Sequence, residues 1–121
     1  MFFNIKLFNV LATKAYERVG SSYTLDETLK VFRVYFQAYE NYMRAVHPNI
    51  RTSQIESIIS KMPYLDDNGQ PGGGAGDIDS DSYQVLIEAH FKTNYGKKCD
   101  YNINHFFAGE IRLLRLYENL Y

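Results

Sequence analysis

Residues 77–88 read DIDSDSYQVLIE. Asp77, Asp79 and Asp81 fall at alternate positions, and Glu88 closes the run. Carboxylates so placed suit two kinds of chemistry. They are hard oxygen donors of the sort a calcium ion collects, roughly six to eight at once. They are also the acids that a helix start attracts. On that second reading Asp81 caps a helix and Gln84 completes an Asp-x-x-Gln box. Asp77 and Asp79 then sit at the positive end of the helix dipole, and Glu88 lies on the solvent side.

Over these residues the chain resembles the calcium loop of the EF-hand family. The resemblance implies Ca2+ ligation by Asp77, Asp79, Asp81 and Glu88, with a backbone carbonyl from Tyr83. The chain departs from that pattern in three places. Ser82 stands where the family has a glycine with positive φ, Gln84 stands at an apolar position, and GGGAG stands where the entering helix belongs. The helix-start reading accounts for the same acids without those departures.

Other reactive residues form weaker patterns. The run GQPGGGAGD lacks the Lys-Ser/Thr ending of a phosphate loop, and its Asp would repel phosphate. Cys99, Asp100 and His105 are near one another but carry no flanking signature of a nucleophile and its base. His47, His90 and His105 lack zinc-type spacing. His90 lies on a mostly apolar face and reads as a core histidine. No catalytic constellation is visible, so the expectation is a protein that is not an enzyme.

Basic residues gather at the helix junctions. With the five Asp of the central loop set aside, the thirteen basic residues exceed the nine acids that remain. Arg44, His47, Arg51 and Lys61 cluster around the junction of the second and third helices; Lys92, Lys97 and Lys98 precede the last, which adds Arg112 and Arg115. Tyr64, Tyr95 and Tyr101 lie nearby, where aromatic rings could stack on bases. The long helix, the HPNI turn and the short SQIESIISK helix resemble a helix-turn-helix. A small DNA-binding or other nucleic-acid accessory protein is therefore the second functional expectation.

These groups depend on helices to position them. Thr24 and Glu27 form a capping box. Leu25, Leu29, Phe32, Phe36, Tyr39, Met43 and Val46 follow at helical spacing, with Tyr35 and Tyr42 on the flank. Pro48 disfavours helix at His47, which predicts an end there and a rod of roughly 33 Å. Ile5, Phe8, Ala12, Ala15 and Val19 predict a preceding helix stopped by Gly20, although the first nine residues also alternate as a strand would. Ser53 and Glu56 suggest a second capping box for a short helix closed by Pro63. A fourth helix spans about 82–95, and a fifth about 103–120 with Gly109 inside it.

The expected architecture is all-α: one domain, residues 1–121, of about five helices around one long central helix. Residues 66–81, rich in Gly and Asp, form a flexible acidic loop between the third and fourth helices. A lone cysteine rules out an internal disulfide framework. The apolar N-terminal stretch has no basic lead before its first apolar residues, so no signal peptide is expected. No run of about 20 apolar residues suggests a membrane span. A net charge of −1 selects no polyanionic or polycationic partner. Eleven Tyr and eight Phe suit buried contacts and interfaces. The leading expectation is a cytoplasmic, Tyr-rich protein–protein interaction module that binds a protein partner or itself as a homo-oligomer.

Overall fold

A computed structural model describes residues 4–64, 78–93 and 100–107. The described residues form five α-helices in order: α1 Ile5–Val19, α2 Leu25–Met43, α3 Thr52–Lys61, α4 Tyr83–Lys92 and α5 Ile103–Phe106, with a 3-10 turn at Ser80–Ser82. The described residues contain no strand, and no described helix is long and apolar enough to cross a membrane.

The choice between helix and strand at the N-terminus is made by Asn4. Its Oδ1 accepts the N–H groups of Lys6 and Leu7 at 3.0 and 3.1 Å, satisfying donors that a helix start leaves open. The helical period then buries Phe8, Ala12 and Ala15 on one face. Ile5 and Val19, expected on that stripe, lie at its ends and are exposed. Gly20 ends the helix at φ 71°, a conformation that costs glycine little.

The capping box of α2 forms as expected: Thr24 Oγ1 accepts from Glu27 N–H at 3.1 Å, and Glu27 Oε1 accepts from Thr24 N–H at 2.9 Å. Thr28, Val31, Phe32, Tyr35, Phe36 and Tyr39 are buried along one face. The helix stops at Met43, earlier than the proline predicts, because Arg44 enters the left-handed region at φ 54°, ψ 39°. Val46 is consequently 53% exposed instead of lying on the core face, while His47 turns inward and is 1% exposed.

α3 begins one residue before the predicted cap. Gln54 Oε1 accepts the Arg51 N–H at 3.0 Å, taking the role expected of Glu56, which instead receives Arg18 Nε from α1 at 2.7 Å. Its buried Ile55, Ile58 and Ile59 pack chiefly along α1, where Ala12 and Ala15 leave room for close approach. α4 packs on α2, and α2 also meets α1. The Phe8 ring lies 5.0 and 4.9 Å from those of Phe32 and Phe36, edge-on, which joins α1 to α2.

The end of the acidic segment is docked. Ile78 is buried, its carbonyl accepts the Tyr23 hydroxyl at 2.5 Å, and its N–H donates to Pro63 O at 2.9 Å. Residues 78–81 are thus part of the folded body, although the Gly- and Asp-rich composition placed them in the flexible loop; the rest of that loop lies outside the described residues. α5 is capped by Asn102, whose Oδ1 accepts from Asn104 N–H at 2.9 Å. The remainder of the expected last helix, with Gly109, lies outside the described residues, as does Cys99.

Candidate functional site

The acidic stretch folds as a helix start. Asp79, two residues before Asp81, is the cap: its Oδ1 accepts from Asp81 N–H at 3.0 Å. Gln84 does not reach back to a cap but donates from Nε2 to Glu88 Oε1 at 2.9 Å along α4. Ser82 holds φ −66°, ψ −21°, a right-handed helical conformation, where the calcium-loop pattern turns through positive φ. The Asp81 carboxylate meets Lys30 Nζ of α2 at 3.3 Å. Ser80 Oγ donates to Glu27 Oε2 at 2.9 Å, so the turn is tied to the capping box. Backbone and Ser80 hydrogen bonds hold the Glu27 carboxyl below its usual range. Among the described residues no three His, Cys, Asp or Glu side chains gather to hold an ion; Asp77 lies outside them.

The basic residues are distributed over separate ends. Arg44 terminates α2, Arg51 precedes α3, Lys61 ends α3 and Lys92 ends α4. Arg51 and Lys61 occupy opposite ends of a helix about 15 Å long. Lys97, Lys98, Arg112 and Arg115 lie outside the described residues, as does Tyr95. Tyr101, expected to be available for stacking, stacks internally on Phe91 at 5.6 Å and donates its hydroxyl to the Thr93 carbonyl. α3 makes its main contacts with α1, whereas the helix-turn-helix reading pairs it with α2.

The solvent side of α2 carries two grooves. Arg33 and Gln37, one turn apart, form a ridge between two grooves. One groove, of about 270 Å3, runs toward α4 and is lined by Val34, Ala38, Tyr42 and Glu88. The other, of about 230 Å3, runs toward α1 and is lined by Ile5, Phe36, Glu40 and Val46. The early end of α2 makes the second groove: it leaves Val46 exposed beside Ile5, itself 43% exposed. Sequence periodicity placed both side chains in the core, so the groove could not be anticipated from it.

A second arrangement lies behind that surface. The rings of His47 and His90, both buried, each lie 6.1 Å from the Tyr35 ring, and His90 lies 5.7 Å from His105. His90 is a core residue, as its apolar face suggested. His47, grouped in sequence with the basic residues of the helix junction, is sealed in the core instead. His47 Nδ1 lies 2.7 Å from Pro48 O, and its Nε2 accepts the Ile103 N–H at 2.9 Å. Those partners define the neutral tautomer with the proton on Nδ1. Burial pushes the imidazole below its usual range, against smaller upward effects of the Pro48 carbonyl and Asp100.

Set against protein-family profiles, curated proteins and solved structures, the chain has no match in any of the three.

Proposed function

We propose that this protein is a non-enzymatic helical interaction module that associates with a second copy of itself through the outer face of α2. The observation that carries this reading is the pair of grooves flanking the Arg33–Gln37 ridge. Apolar side chains line both: Ile5, Phe36 and Val46 on one side, Val34, Ala38 and Tyr42 on the other. A ridge between two apolar grooves suits helix-in-groove docking. The polar lining carries both signs, Arg33 beside Glu40 and Glu88. A patch with both charges is self-complementary across a two-fold axis, the commonest symmetry of soluble oligomers. Arg33 of each copy would then meet a carboxylate of the other.

Light scattering on size-fractionated protein tests the reading. The wild type is expected to dimerise with rising concentration. Val46→Asp, at an exposed position, should leave the helical circular dichroism unchanged and weaken dimerisation at least tenfold. Arg33→Glu should weaken it less, and Arg33→Glu with Glu40→Arg should restore it. A wild type that stays monomeric at several hundred micromolar ends the self-association reading.

A further inference from the structure

We infer that His47 is an acid-operated latch, and that protonating its Nε2 releases the segment 100–107 from α2. Among the described residues, two hydrogen bonds join that segment to α2 and the residues following it. The Tyr35 hydroxyl donates to the Tyr101 carbonyl at 2.6 Å, and the Ile103 N–H donates to His47 Nε2 at 2.9 Å. The first is indifferent to pH in the neutral and acid range. The second exists only while Nε2 keeps its lone pair, because a protonated imidazole is a donor at both nitrogens. On protonation, two N–H groups would face each other in a site that is 1% exposed. Neither can turn to water without moving the backbone at Ile103.

The surroundings make this a local event. From α2 the ring meets Phe36 at 5.0 Å, Tyr39 at 4.7 Å and Tyr35 at 6.1 Å, none of which is charged at neutral pH. Asp100, exposed at the start of the released segment, is a charged group that favours the imidazolium. The other two imidazoles, His90 and His105, lie beyond Tyr35 and Phe106. Ile103, Phe106 and Phe107 would leave the core when the latch opens. The α1–α3 packing involves none of these residues, so it should persist. This inference does not rest on the dimer reading: Phe36 lies against His47 and also lines the groove toward α1, but the latch is the bond between His47 and Ile103.

Amide hydrogen exchange followed by NMR on the full chain, corrected for intrinsic exchange chemistry, tests it. Below pH 6.5 the protection of the Ile103 amide should fall by up to about tenfold per pH unit. Amides in α1 and α3 should keep theirs. Imidazole nitrogen shifts should report the Nδ1–H tautomer of His47 at pH 7.5. His47→Gln should remove the pH response, while His105→Gln should retain it. Equal protection of Ile103 at pH 7.5 and 5, parallel loss in α1 and α3, or an unchanged response in His47→Gln each overturns the latch. Should His47→Gln fail to fold, the wild type still decides. The loss of Ile103 protection should level off at the pH where His47 titrates in the folded protein; a loss that continues unchanged through that pH, or ends well above it, refutes the latch.

Discussion

The Tyr83 ring is buried, and its hydroxyl donates to the Met62 carbonyl at 2.5 Å. Four other tyrosines do the same thing to other carbonyls: Tyr16 to Tyr23, Tyr23 to Ile78, Tyr35 to Tyr101 and Tyr101 to Thr93. The acceptors lie where chain leaves or enters a helix, where carbonyls lack helical partners. Tyr suits such positions because the ring fills apolar space while the hydroxyl reaches a carbonyl at the edge of the core. The abundance of Tyr in this chain is therefore explained in part by internal pinning of connections. Tyr83→Phe should cost about 0.5–1.5 kcal/mol in urea denaturation. Tyr42→Phe, at a half-exposed ring, should change stability by less than about 0.5 kcal/mol. Equal effects at the two sites would remove the pinning argument.

At the scale of the element, the end of α2 decides more than its start. The start follows from local chemistry at Thr24 and Glu27. The end requires Arg44 at φ 54°, a conformation that costs a residue with a Cβ roughly 1 kcal/mol. Its N–H still reaches Glu40 O at 2.9 Å. The early turn brings His47 against Tyr35, Phe36 and Tyr39 and leaves Val46 at the groove beside Ile5. The sign of one substitution tests this. Arg44→Gly should be neutral or stabilising by up to about 1 kcal/mol, since glycine tolerates positive φ. Were the helix to continue to Val46, as periodicity suggests, the same change would destabilise by about 1 kcal/mol. Thermal unfolding of the two proteins distinguishes these outcomes.

At the scale of the whole molecule, stability should depend on pH in three windows. His47 is held below its ordinary value of 6.5 by burial, so the unfolded chain binds its proton more readily. Stability is then full above pH 6.5 and falls as pH drops toward the depressed folded-state value. Glu27 is lowered from 4.5 by its bonds with Thr24 and Ser80, so a second loss begins as pH falls below 4.5. Tyr39 is raised above 10.0, chiefly by burial and then by Asp100, so stability declines as pH rises past 10. A plateau between about pH 7 and 10 is expected in urea denaturation series. A stability maximum near pH 5 would contradict the direction assigned to His47.

Capping and periodicity act within three or four residues, and what they govern was legible in the chain itself. That includes the all-helical class, the Thr24–Glu27 box, the glycine stop at Gly20 and the burial of Phe32, Phe36 and Tyr39. Sequence also showed that residues 77–88 are acidic, but not that Asp79 would cap or that Asp81 would pair with Lys30, 51 residues away. The bonds that arrange the molecule join distant residues: His47 to Ile103 across 56 positions, Tyr35 to Tyr101 across 66, Tyr23 to Ile78 across 55. No local rule encodes them, because each depends on which helix faces pack together. The tertiary packing, with α3 on α1 and α4 on α2, therefore decided which apolar side chains stay wet and that His47 is sealed inside.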